Sequence, residues 1–156
     1  MKRRQKVKNY SFKEIFTEPE ILSQIILEIT YIIIIIIYLI HLDNFNKLMF
    51  AKGFTSELEE SNSIFVASKI LKEGGSSYFC WAVIWVVVGE FLFYIFYKIG
   101  QTSYYPVVGI IIKVLHVVVL LLFIVILCHL INNPIIRALI IMFGFGSLLG
   151  TILSNS

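Results

Sequence analysis

Four ionisable side chains, Glu28, Glu90, Lys113 and His116, stand inside runs of apolar residues. Two acids, an ammonium and an imidazole can pair, share a proton or pass one along. At the centre of a bilayer each costs at least about 2.5–3.5 kcal/mol when left alone, so such groups turn toward partners inside a helical bundle or toward a water-filled path. Counted inward from one side of the membrane at about 1.5 Å per residue, Glu28, Glu90 and Lys113 all lie about 9–10 Å deep, with His116 one turn beyond Lys113. The shared depth predicts that Lys113 neutralises Glu28, Glu90 or both. Two acids and one base leave the group one charge short unless a proton or His116 makes up the difference, and such a group titrates jointly.

Neighbouring polar residues fit an inward seam. Gln24, Tyr31 and Tyr38 recur with Glu28 at three- and four-residue steps, as Tyr94 and Tyr97 do with Glu90, and Gly109 with Lys113 and His116. Tyrosine hydroxyls in such a seam are expected to satisfy the carboxylates. The leading reading of the cluster is a structural ion pair that sets helix register. The sharper alternative is a transport or proton-coupling site.

A second group, His41, Cys80, Cys128 and His129, falls toward the opposite ends of the same runs. These are zinc-ligand types, and a Cys80–Cys128 disulfide is conceivable on an oxidising side. No CxxC or CxxH spacing supports a metal, and adjacent Cys128 and His129 point about 100° apart on a helix. No metal site and no cofactor are predicted, and the thiols read as small apolar packing residues.

The elements that must position these residues are membrane spans. The 156 residues are 58% hydrophobic and 15% charged, against roughly 25% charged in soluble domains. Four windows of about 20 residues are apolar enough to cross a bilayer, near 21–42, 78–97, 107–131 and 135–153. Together they predict an all-α membrane protein, a single four-span helical bundle over residues 18–156. Thr17, Glu18, Pro19 and Glu20 give a start signal with capping-box spacing and an early proline. The first apolar run is too long for a signal-peptide core, so it reads as a retained span. The tail over residues 1–17 carries Lys2, Arg3, Arg4, Lys6, Lys8 and Lys13, which read as a topogenic signal and a contact for anionic headgroups rather than for nucleic acid. The positive-inside rule then places both termini in the cytoplasm, although Lys47, Lys52, Lys69 and Lys72 oppose it from the long 43–77 loop.

Within that outer loop, Ser56 and Glu59 have capping-box spacing and Gly74-Gly75 supply a stop. Between them, Ile64, Val66, Ala67, Ile70 and Leu71 fall on one arc of a short amphipathic helix that lies on the outer face or lids the bundle. Gly146 and Gly150 form a GxxxG on the fourth span, with Gly144 beside it, and mark close helix packing. No phosphate-binding loop, nucleophile elbow, HExxH or dinucleotide fingerprint is present, which argues against an enzyme. The composition therefore points to a non-enzymatic accessory, regulatory or protective subunit that contacts another membrane protein or further copies of itself. A small proton-coupled transporter is the alternative, and a redox or metal protein using the outer Cys/His group comes third. The topology is checked by cysteine labelling: a cysteine at Ser61 should react from outside intact cells, and one at Ser154 only after permeabilisation. External labelling at both positions would overturn the orientation or the span count.

Overall fold

The computed structural model describes residues 18–54, 63–102, 105–131 and 133–142. Helix α1 spans Pro19–Ala51. Proline suits the first turn because the N–H it lacks would have no helical partner there. Glu18 is the extended residue before it and makes no side-chain capping bond. The cap is thus Glu18 rather than Thr17, which lies outside the described residues together with the basic tail.

The predicted first span ends at Leu42, but α1 runs nine residues further, because no Gly or Pro interrupts it before Gly53. Its 33 residues measure about 50 Å at 1.5 Å each, well beyond a hydrocarbon core of about 30 Å. The surplus carries Asp43, Asn44, Asn46 and Lys47, so a polar end projects from the bilayer. There the chain closes α1 with paired bonds, Gly53 N–H to Phe50 O at 2.9 Å and Phe54 N–H to Met49 O at 3.1 Å. This is a Schellman stop, and the φ of +89° at Gly53 is one that side-chain-bearing residues rarely adopt.

Helix α2, Ser63–Ile70, packs on that projecting end. Val66 and Ile70 are buried with Phe45 and Met49, and Phe54 and Tyr78 close over them. Ala67 is buried as well, but Ile64, expected on the same arc, is 78% exposed. Ile64 lies off the buried part of the arc, because α2 meets Phe45 and Met49 through Val66 and Ile70. The Ser56/Glu59 signal lies outside the described residues. A kinked turn over Leu71–Gly75, with Gly74 at φ +105°, ends α2 and redirects the chain into α3, Ser76–Thr102. Lys52 at the end of α1 ties this kink by a 2.6 Å ion pair to Glu73. That hydrogen bond, and then the lysine's charge, holds the Glu73 carboxyl below its usual range.

Helix α4 is Pro106–Leu130, again with proline in its first turn. Helices α1, α3 and α4 pack on one another as a three-helix bundle. Bonds from Tyr31 to Trp85 and from Tyr38 to Tyr78 make α1 and α3 antiparallel. Those from Glu28 to His116 and from Asn46 to Leu130 make α1 and α4 parallel. The buried residues of α1 are Ile21, Gln24, Glu28, Tyr31, Ile35, Tyr38, Leu42, Phe45 and Met49. Their strict three-four alternation is a seam with a 3.5-residue period, the spacing that lets one helix keep a single face against its neighbours.

The faces turned away are apolar too. Ile26, Ile29, Ile33, Ile36, Ile37 and Ile40 of α1 are each about half exposed or more, and α4 is alike. Helices that are hydrophobic all round require a non-aqueous surrounding. Even an outward hydroxyl is satisfied internally, since Thr30 donates to Ile26 O at 2.8 Å. Among the described residues three helices are long and apolar enough to cross a membrane, α1, α4 and the segment containing α3. The described residues form helices and no strand, and the protein is a multi-pass membrane protein. Of the predicted fourth span, residues 135–142 are helical, while its remainder, with Gly144, Gly146 and Gly150, lies outside the described residues.

The corner before that helix is tightly bonded. Asn133 Oδ1 accepts from the N–H groups of Ile135 and Ile136, an N-cap that the "NNP" punctuation did not reveal. Asn46 donates to Leu130 O at 2.7 Å, and Arg137 donates twice to Ile131 O. The carbonyls of Leu130, the last residue of α4, and of Ile131 after it are thereby satisfied by side chains. Asn133→Ala should lower stability by about 0.5–2 kcal/mol, read as a lower midpoint of thermal unfolding in detergent.

Candidate intramembrane polar site

The three helices converge on one imidazole. His116 is fully buried on α4, and its Nδ1 lies 2.6 Å from Glu28 Oε2 of α1. Its Nε2 lies 2.7 Å from the carbonyl oxygen of Gly89 on α3. A carbonyl can only accept, so Nε2 carries a hydrogen and donates it. One further proton then occupies the contact between Nδ1 and Oε2. It makes the pair imidazolium–carboxylate if it sits on nitrogen, or two neutral groups if it sits on oxygen. Either way the pair is neutral overall, which is what a low-dielectric interior requires of a Glu 4% exposed beside a His at 0%.

Local sequence makes this approach possible. At Gly89 a Cβ would stand 2.5 Å from the Tyr31 hydroxyl oxygen and 2.8 Å from Leu120 Cδ1, so a side chain there would displace the Tyr31 ring or the Leu120 methyl. The Tyr31 and Phe96 rings flank the imidazole, with centroids 5.5 Å and 5.1 Å away and Phe96 edge-on. Glu90 is buried next to Gly89. Glu28, Glu90 and His116 thus occupy one buried layer.

Lys113 takes a different place. Its ammonium lies 5.4 Å over the Tyr97 ring, and a Cβ at Gly100 would stand 3.5 Å from Nζ. The expectation that Lys113 neutralises Glu28 is corrected: Glu28 Oε2 is bonded to His116, and Glu28 Oε1 has no hydrogen-bond partner. The cause is reach. A four-carbon stem lets the ammonium travel toward the α3–α4 turn and cover an aromatic ring, whereas the short, stiff histidine must find its partners where it stands.

The tyrosines also serve backbone rather than carboxylates. Tyr31 donates to Trp85 O at 3.0 Å and Tyr38 to Tyr78 O at 2.8 Å. Tyr94, expected in the inward seam, is 40% exposed with the Lys98 ammonium over its ring. Gln24 is buried at 1% exposure, and neither atom of its amide has a hydrogen-bond partner. At the other end Cys80 is exposed and Cys128 half-buried, and both are free thiols, so the disulfide alternative is not formed. His41 and His129 are exposed. Among the described residues no group of three His, Cys, Asp or Glu side chains could hold a metal ion.

His116→Ala should cost about 3–5 kcal/mol, because it leaves Glu28 buried without its partner, whereas Lys113→Ala should change the yield of folded protein far less. The double variant Glu28→Met with His116→Leu should recover most of the loss, since no unpaired charge then remains. Yields of monodisperse protein in detergent give the comparison, and equal losses for His116→Ala and Lys113→Ala would contradict the geometry. Gly89→Ala should separately cost about 1–3 kcal/mol through overpacking.

No protein-family model, curated protein or solved structure matches this chain.

Proposed function

We propose that this protein is a non-enzymatic accessory or regulatory subunit that works inside the membrane through its contacts with another membrane protein. One observation supports the reading above others: the Glu28–His116–Gly89 junction is buried between three helices, with His116 at 0% and Glu28 at 4% exposure. A substrate site needs an entrance, whereas a register-setting junction needs none. The apolar outer faces of α1, α3 and α4 then serve for helix–helix contact, with α2 and the outer loop as a further contact surface. In this reading both termini face the cytoplasm, and the basic tail rests on anionic headgroups.

A second reading, proton-coupled transport, is favoured by a different observation. The Glu28–His116 contact has room for one proton between two polar atoms 2.6 Å apart, and Gln24 and Glu28 Oε1 beside it have no hydrogen-bond partner. Purified protein in vesicles containing a pH-sensitive dye separates the two. The subunit reading expects no proton flux above that of protein-free vesicles under an imposed potential. It also expects cross-linking in native membranes to recover an unrelated membrane protein at fixed stoichiometry. Flux that Glu28→Gln abolishes would replace the first reading with the second.

A further inference from the structure

Glu28 uses only one of its two oxygens. Oε2 meets His116, while Oε1 is buried without a hydrogen-bond partner. One helical turn toward the start of α1, Gln24 is buried at 1% exposure with both Nε2 and Oε1 equally unpartnered. Gln24 and Glu28 are four residues apart in the same buried seam, so their side chains lie on one face. The layer therefore offers a donor and two acceptors within one turn of a shared proton.

We propose that Gln24 and Glu28 Oε1 hold an internal water molecule, and that this water is the route by which the Glu28–His116 proton exchanges. The chemistry selects water. A direct bond from the Gln24 amide to Glu28 would satisfy Nε2 but leave Gln24 Oε1 bare. A metal cation would suit the two oxygens but meet the positive end of the amide N–H2 group. Water both donates and accepts, and buried waters sit where two to four such groups converge. Exchange follows from the carboxyl group itself. When the shared proton is on Oε2, rotation of the carboxyl group turns that hydrogen from Nδ1 toward the water. The water takes it as it returns another proton to the pair, so the charge of the pair is unchanged. The inference rests on the geometry of the pair and holds under either functional reading.

The test uses the full chain in lipid nanodiscs with nitrogen-15-labelled histidine, the His116 signals being those lost in His116→Gln. In the wild type, magnetisation should pass from water to the His116 ring hydrogens. Absence of that transfer would overturn the proposal. In Gln24→Leu, which removes both amide groups at similar volume, the transfer should be lost while the His116 nitrogen shifts keep their wild-type pattern. Undiminished transfer in Gln24→Leu would likewise overturn it. If Gln24→Leu does not fold, Gln24→Met gives the same reading.

Discussion

A single imidazole joins the three long helices. His116 offers two polar atoms in opposite directions, and each meets a different helix, a carboxylate on α1 and a backbone carbonyl on α3. In water such a joint would be worth little, because solvent competes for every group in it. In hydrocarbon no solvent competes, and a group that leaves its partner has nowhere to go. Apolar side chains packed in lipid tolerate sliding by a turn, since the contacts after the slide resemble those before it. The His116 joint does not, because a slide of one turn would part the imidazole from both of its partners.

The other interhelical bonds repeat one device. Tyr31, Tyr38 and Asn46 all leave α1 and donate to backbone carbonyls of the neighbouring helices. A helical carbonyl already accepts one bond and has a second lone pair, so it takes a side-chain donor without loss to its own helix. Together with the Glu28 contact these bonds are spaced along α1 from Glu28 to Asn46, so α3 and α4 are tied to α1 over more than half of its length. Gly89 is the steric counterpart, since the close approach of α3 depends on its lacking a side chain.

The end of α1 that projects beyond the bilayer obeys different physics. There water is available, and burial of apolar area rather than rescue of polar groups organises the chain. Val66 and Ile70 of α2 cover Phe45 and Met49, while the ionic contact between Lys52 and Glu73 stays on the exposed rim. Such exposed pairs add little on their own and serve to orient the kink. Two environments thus meet along one continuous helix, and the change of residue type after Leu42 marks the boundary.

Much of this was legible in the sequence. Apolar runs of membrane length, the proline that opens α1, the stop near Gly74 and the shared face of Gln24, Glu28, Tyr31 and Tyr38 all follow from residue type and spacing, because the bilayer leaves the backbone few options. The end of α1 was not legible: a hydropathy window ends where polarity rises, whereas a helix ends where a residue such as Gly53 allows the chain to turn. The partner of Glu28 was not legible either. Formal charge and depth favoured Lys113, and helical spacing did not separate the two, since it put Lys113 and His116 on one face of α4. Tertiary structure decided for His116, because pairing depends on which way a side chain points and how far it bends. Lys113 sits on a flank of α4 from which its long stem reaches Tyr97, whereas His116 sits in the seam, held between Glu28 and Gly89 with the Tyr31 and Phe96 rings packed against it.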